Sequence, residues 1–405
     1  MHVDINSCFA TIEQQANPFL RGKPTVVAAY TTGNGCILAA SREAKLLGIK
    51  TGMRVSEGKN LYPRLAVLPS NPDTYRWVNQ KLHSILSSYT PRISIESIDE
   101  MVMDLVGAPS SIHADVITSM QRVACEIKDR IKQEIGSWMT VSIGIAPNRY
   151  LAKVASGLHK PDGLDVITLD SLESIFQTIQ LEDLCGIKYG ISRRLRAAGI
   201  QTPVDLLRAT PERLISALHS KTGFSWWQRL HGYEDGVIYK AFDSQQDVQK
   251  TYGQSFALGK PRSALDPEIL KSMTQLLLKM DRRLRKAGYA AHGINISLSF
   301  IDHTHWTKNI RTTESLFSDT DFLHYARRLL GLAPDKLIRI MAVTSFNLFP
   351  EDTGQISLWN ADEKKRNVTN ALDAIADRWG EYTVTPATMM HVEQKVLDRI
   401  AFGKT

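Results

Sequence analysis

Asp4, in the opening Val3-Asp4-Ile5-Asn6-Ser7, and the adjacent Asp99 and Glu100 of Ser97-Ile98-Asp99-Glu100 have the most chemistry to offer. Each segment sits among β-forming residues, so two neighbouring strands would gather the three carboxylates at one edge of a sheet. Close carboxylates repel one another and are costly unless divalent cations neutralise them. Hard oxygen donors favour Mg²⁺, which keeps open positions for substrate phosphates. The chemistry this points to is phosphoryl transfer assisted by two metal ions. Spacing alone leaves an alternative open, because acidic residues at strand ends are commonly solvated turn residues.

The elements that must position these residues belong to a chain of 405 residues, enough for three or four domains. Its 43% hydrophobic and 22% charged content is that of a globular protein, and its net charge of +7 points to a polyanionic partner. No apolar run approaches the roughly 18 residues of a membrane span and no signal-peptide pattern opens the chain, so a cytoplasmic location is expected. Cys8, Cys36, Cys125 and Cys185 lie far apart without a C-x-x-C pair, which argues against disulfides and structural zinc. His303 and His305 read as exposed loop residues rather than ligands.

Alternation predicts strands over 24–30 and 36–40 about the turn Thr32-Gly33-Asn34-Gly35, then a helix from Ser41 to Gly48. A helix over 73–89 precedes a hairpin in which Ile93 and Ile95 lead into Asp99-Glu100 and Met101, Met103 and Leu105 lead out. A helix over 111–135, a strand over 141–145 and a helix over 148–157 complete an α+β domain carrying a small α+β insertion. Short helices are expected over 166–240. Within them Gly186, Lys188, Gly190, Arg193 and Arg194 form a helix–hairpin–helix pattern whose backbone amides could hold a phosphate. A Gly-capped basic helix is the plainer reading of the same residues. Residues 241–350 hold 15 Lys/Arg against 10 Asp/Glu. Strands over 293–300 and 338–349 alternate there with helices over 267–286 and 319–332. This ββα-type module suits a duplex backbone, with solvated surface charge as the alternative.

In their order, these segments resemble the Y-family translesion DNA polymerases of the DinB/UmuC type. The resemblance rests on residues 3–10 (VDINSCFA), Ala40-Ser41-Arg42-Glu43-Ala44-Lys45, Ser97-Ile98-Asp99-Glu100, and residues 152–163 (AKVASGLHKPDG). The hairpin at Gly186 and the strand start at Lys250-Thr251-Tyr252-Gly253 extend it. The fold it implies is a multidomain α+β right hand. Residues 1–10 and 73–165 would be the catalytic palm, 11–72 small fingers and 166–235 a helical thumb carrying the hairpin. Residues 241–350 would be an α/β little finger and 351–405 a tail.

The resemblance implies a low-fidelity, template-directed polymerase that adds deoxynucleotides to a primer 3′ end during lesion bypass. Damage-induced (SOS) expression follows from the family alone. Two Mg²⁺ ions would be held by Asp4, Asp99, Glu100 and the main-chain carbonyl of Ile5. Phe9 matches the family's steric gate against a ribose 2′-hydroxyl, although spacing alone reads it as a core residue. Ser7, Cys8, Phe9, Arg42, Lys45, Tyr75 and Lys160 would meet the nucleotide, and Cys36, Leu38 and Ala39 would line the fingers above the nascent pair. Arg42 stands where the family commonly has Tyr, and Lys45 where it commonly has Arg. That exchange keeps the charge but loses a bidentate fork at residue 45. Only Met1, His2 and Val3 precede Asp4, so the first strand is expected to be short for a central one, as in a trimmed or misassigned start.

Gln355-Ile356-Ser357-Leu358-Trp359 resembles the bacterial sliding-clamp-binding pentapeptide, an amphipathic strand end being the alternative. A basic helical segment over 361–378 follows it. The implied partners are primer-template DNA, deoxynucleoside triphosphates and the sliding clamp. The chain is expected to be a monomer without membrane contact. The rival reading is a non-catalytic scaffold of the same fold that recruits a mutagenic complex to the clamp. Such relatives lack the acidic residues, all three of which are present here.

Overall fold

A computed structural model describes residues 1–107, 116–234, 250–351, 360–392 and 396. The chain divides into two compact units, one built on residues up to 246 and one spanning 247–397.

The first unit is organised by a five-stranded sheet whose central strand is β1 (His2–Ile5). Every residue of β1 is buried, because this short run lies between two other strands. The three-residue helix at 18–20 and the strands β2 (Thr25–Ala28), β3 (Ile37–Ala40) and β4 (Ala66–Pro69) come after helix α1 (Cys8–Ala16). Strands β5 (Ile93–Ile95) and β6 (Glu100–Met103) form the expected hairpin, with Ile95 opposite Met101. β6 pairs antiparallel with one side of β1, and β7 (Val141–Ile145) with the other; β8 (Leu164–Val166) lies parallel to β7.

Helices α4 (Pro72–Ser87) and α5 (Val116–Glu134) cover the sheet. They do so through Val78, Leu82 and Ile85 on one helix and Val123, Ile127 and Ile131 on the other, the i, i+4, i+7/8 spacing of a core face. Helix α6 (Arg149–Leu158) packs so closely on β7 that a Cβ on Gly144 would lie 2.0 Å from the Ala152 carbonyl oxygen. Only glycine permits that approach.

β2, β3 and β4 form a separate small sheet with helices α2 (Arg42–Leu46) and α3 (Val55–Leu61) around Val26, Ile37, Ile49 and Val55. Past β8 come α7 (Leu172–Phe176), α8 (Tyr189–Ala197), α9 (Pro203–Arg208), α10 (Pro211–Leu218) and α11 (Thr222–Leu230). Their core of Ile187, Leu195, Leu206, Leu214 and Trp226 is shared with Leu151 of α6.

The second unit is a four-stranded antiparallel sheet, ordered β11-β10-β12-β9. Its strands are β9 (Thr251–Ser263), β10 (Tyr289–Phe300), β11 (His305–Leu316) and β12 (Leu337–Pro350). Helices α12 (Pro267–Lys286) and α13 (Asp319–Leu330) pack on it, and α14 (Asn360–Trp379) follows β12. The sequence predicts only β10 and β12 as full strands. Of the two sheet edges it marks only the start of β9, at residues 250–253, and misses β11, because exposed and half-buried positions alternate there and few residues are apolar. His305 opens β11 rather than lying in a loop, and His303 sits in the preceding turn at φ +63°. The four cysteines are free.

One buried amide ties the small sheet and its flanking segments to α1. Gln14 is 2% exposed, and its Nε2 lies 3.1 Å from the carbonyl oxygens of Leu20 and Lys23 and from Glu43 Oε2 on α2. Its Oε1 accepts from Trp138 Nε1 at 3.2 Å. Gln14→Leu keeps the volume but strands these partners, so unfolding stability should fall by about 2–3 kcal/mol. A denaturant melt checks this, and a loss below about 0.5 kcal/mol would show that the amide does not hold the small sheet in place.

Candidate active site

The register of β1 against β6 places Asp4 opposite Glu100, and the Ile5 amide donates to the Asp99 carbonyl at 2.9 Å. Asp4, Ile5, Asp99 and Glu100 line one cleft of about 700 Å³ with Ser7, Cys8, Phe9, Leu38, Ala39, Arg42, Lys45 and Lys160. Residues expected to meet a cation, a sugar and a triphosphate therefore share a surface, although they come from four separate stretches of sequence.

Each carboxylate has a fixed partner. Lys160 Nζ donates to Asp4 Oδ2 at 2.5 Å, and Lys153 Nζ to Glu100 Oε2 at 2.5 Å. Ser97 Oγ donates to Asp99 Oδ1 at 2.5 Å and receives the Glu100 amide at 3.1 Å. Burial raises the Asp4 pKa to about 6; Lys160 pulls it down, while Glu100 and Asp99 push it further up. Burial also works against the Lys153 ammonium, but the hydrogen bond and charge of Glu100 outweigh it and hold its pKa above the usual lysine value. Burial, reinforced by the Lys153 charge, lowers the His2 pKa to about 3, so its ring is neutral at pH 7.

The donor set of three carboxylates and a main-chain carbonyl fits a hard divalent cation. Among the described residues, no three His, Cys, Asp or Glu side chains already converge as a metal cluster. Lys153 and Lys160 supply the neutralising charge instead.

Lys160 is presented by a turn tied to the strand beside it. Asn6 Oδ1 accepts the Asp162 amide at 2.8 Å, Asn6 Nδ2 donates to Ser142 Oγ at 2.9 Å, and Lys128 Nζ donates to the Asp162 carbonyl at 2.5 Å. At the other wall Ser7 takes the left-handed conformation, φ 51°, and starts α1 without a side-chain cap. Lys45 Nζ donates to Ser7 Oγ at 2.8 Å. Arg42 opens α2, where Ser41 Oγ accepts the Ala44 amide at 3.3 Å.

Tyr75 is placed differently from its expected role. It is fully buried and outside the cleft lining, stacked on Phe9 with centroids 4.3 Å apart and planes at 8°. Its hydroxyl donates to Glu13 Oε1 at 2.7 Å. Tyr75 therefore backs the Phe9 ring instead of facing a nucleotide, because a flat ring-on-ring contact and a buried acceptor satisfy it inside the core.

The hairpin forms as expected, with Gly186 at φ +86° and α8 beginning at Tyr189. Gly190 faces open space and Lys188 Nζ reaches the Glu182 carbonyl at 3.2 Å. Arg193 lies 5.9 Å from the centroid of the exposed Tyr189 ring. Arg194 is exposed as well; its Nε donates to the Gly190 carbonyl and its Nη1 to that of Leu218, so it ties α8 to the end of α10. Gln355, Ile356, Ser357, Leu358 and Trp359 lie outside the described residues.

His2, Lys153, Ser97 and Asn6 had not been singled out as site residues. The readable signal was a polar side chain within or beside a buried apolar run, as at His2 and Asn6 around Val3 and Ile5. Among the described residues no helix is long and apolar enough to cross a membrane.

The profile of the impB/mucB/samB family matches residues 3–157, and that of the impB/mucB/samB family C-terminal domain matches residues 249–358. The DNA polymerase IV of Moorella thermoacetica is 31% identical over 394 residues, covering 96% of this chain and 95% of that protein. That of Desulfatibacillum aliphaticivorans is 29% identical, covering 96% of each chain. DNA polymerase IV 1 of Bacillus subtilis is 27% identical, covering 100% of this chain and 96% of its own. Among solved structures, a Y-family DNA polymerase chimera of Dbh and Dpo4 superposes with a TM-score of 0.73 at 23% identity, over 86% of this chain and 98% of the other. With the carboxylates of two paired strands in one cleft and both family segments in order, the chain belongs to the impB/mucB/samB family, as a translesion DNA polymerase of the DinB-type Y-family.

Proposed function

We propose that this polymerase extends a primer 3′ end with deoxynucleotides opposite damaged template positions by two-metal phosphoryl transfer. The observation that carries the reading is the shared cleft, in which Asp4, Asp99 and Glu100 face Phe9, Lys45 and Lys160. Two Mg²⁺ ions held by the carboxylates and the Ile5 carbonyl would make the primer hydroxyl a better nucleophile and offset the charge on the phosphates.

The chain's own residues do the rest by position and charge. Lys160 and Lys153 neutralise the carboxylates until cations replace them, which frees Lys160 for the triphosphate. Lys45, Arg42 and the first amides of α1 form the opposite wall of that anion site. Phe9, held flat by Tyr75, presents a ring edge too rigid to yield to a 2′-hydroxyl.

On this reading the five-stranded sheet is the palm, the small sheet the fingers, the helices past β8 the thumb, and the second unit the little finger. The Gly186–Gly190 hairpin and the basic second unit grip duplex backbone without reading sequence. The fingers present little more than Leu38 and Ala39 above the nascent pair, and so loose an enclosure admits damaged bases at the expense of fidelity. Gln355–Trp359 would dock on the sliding clamp and raise the local concentration of enzyme at the primer end.

Asp99→Ala should cut incorporation by about 10³-fold or more in primer extension with Mg²⁺, with an unchanged circular dichroism spectrum. Retained extension would sink the two-metal reading. Phe9→Ala should raise ribonucleotide relative to deoxynucleotide incorporation by about 10- to 100-fold; unchanged sugar discrimination removes Phe9 from the gate. Deleting 355–359 should abolish stimulation by added clamp and leave synthesis without clamp intact, whereas persisting stimulation would place the clamp contact elsewhere.

A further inference from the structure

His2 is a buried polar side chain beside the cleft and has no role in the mechanism above. It is 1% exposed, and it lies two residues before Asp4 on β1, hence on the same face of the sheet. Its Nδ1 is 3.1 Å from Ser156 Oγ on α6. Its Nε2 has no hydrogen-bond partner and points at Glu100, with Oε2 3.9 Å away. A buried ring nitrogen left without a partner is costly, and its retention beside a reacting carboxylate calls for a reason.

The hydrogen-bonding inventory fixes what this nitrogen can do. A carboxylate only accepts, so the single hydrogen of the neutral ring belongs on Nε2, facing Glu100. Ser156 then donates to Nδ1. Its hydroxyl also lies 2.9 Å from the Lys153 carbonyl oxygen, an acceptor already within the helix ladder and able to release it. In the ion-free arrangement the Glu100 oxygen nearest His2 is taken by the Lys153 ammonium at 2.5 Å, which holds the carboxylate just beyond reach of the imidazole.

We propose that His2 is a positioning residue for Glu100: when Lys153 gives up the carboxylate to a divalent cation, the Nε2–H of His2 takes over one of its oxygens and holds its orientation. The exchange conserves the hydrogen-bond count. Glu100 loses an ammonium donor and gains an imidazole donor, and the orphan nitrogen is satisfied only in the cation-loaded state. Such a switch favours loading, as outer hydrogen bonds do for ligands at other metal sites. Ser156 is the second member, since its hydroxyl sets which ring nitrogen carries the hydrogen. The inference rests on the two-metal reading of Asp4, Asp99 and Glu100.

The test compares His2→Phe, His2→Gln and Ser156→Ala polymerases of full length, each first shown to keep the parent melting temperature within a few degrees. His2→Phe should raise the Mg²⁺ concentration for half-maximal extension and lower kcat, by about 10- to 100-fold combined, with KM for the nucleotide little changed. His2→Gln, whose amide can donate at a similar reach, should recover most of that loss, and Ser156→Ala should fall between. Mn²⁺ binding, followed by paramagnetic resonance on a complex with a 3′-deoxy-terminated primer and nucleotide, should weaken in His2→Phe and recover in His2→Gln without any turnover. Equal losses in the Phe and Gln variants would assign His2 to packing and overturn the proposal, as would unchanged metal dependence in His2→Phe. Asp99→Ala in the same binding assay separates the two ideas: unaltered Mn²⁺ affinity there removes the metal reading itself.

Discussion

The site depends on the pairing register of one four-residue strand. β1 lies at the centre of its sheet, and only in the observed register does Asp4 face Glu100 while the Ile5 amide reaches the Asp99 carbonyl. A slip of one residue would turn Asp4 toward the apolar core and expose Val3 and Ile5. The slip is opposed by burial. Val3 and Ile5 are 0% and 2% exposed and belong to the cluster formed with α4 and α5. At about 1.5–3 kcal/mol for each large apolar side chain kept from water, these two residues hold the register more firmly than any polar contact in the cleft.

The same strand must carry charge that destabilises it. Asp4 is nearly buried beside two further carboxylates, and its raised pKa records that burden. Two lysines offset it, and both arrive from elements whose placement is set by backbone contact. Lys153 rides on α6, which Gly144 allows to press against β7. Lys160 hangs from a turn pinned by Asn6 and Lys128. Asp4 and Glu100 are thus each held against a lysine already in place, so neither is left as an uncompensated buried carboxylate.

Much of this arrangement was legible in the sequence, where local pattern and physics agree. The hairpin around Asp99-Glu100, the helix over 267–286 and the strand over 141–145 follow directly from apolar periodicity. Edge strand β11 and the full length of β9 were not legible, because a strand with one paired side and a wet face carries no continuous apolar signal. Tyr75 marks a second limit. Its type suggested a nucleotide contact, yet it stacks behind Phe9. Residue type announces what a side chain can bond; which partner it takes is decided by packing that no linear pattern records. His2 carries no such signal, since a histidine in a buried strand is by default a satisfied core residue.

The second unit is braced by charge pairs between its own elements. α14 is fastened to α12 by Arg285, whose Nε and Nη2 donate to the two Asp373 oxygens at 2.7 and 2.9 Å, and by Arg282, which donates to Asp377 at 2.7 Å. The end of β12 is fastened as well, with Arg366 donating to Glu351 at 2.6 Å and the Glu351 amide to the Gly288 carbonyl at 2.9 Å. Bidentate, half-buried arginine–carboxylate pairs hold geometry better than isolated surface pairs do. Helix α14 and the end of β12 are therefore both anchored to the same unit by charge-assisted contacts whose geometry each partner fixes.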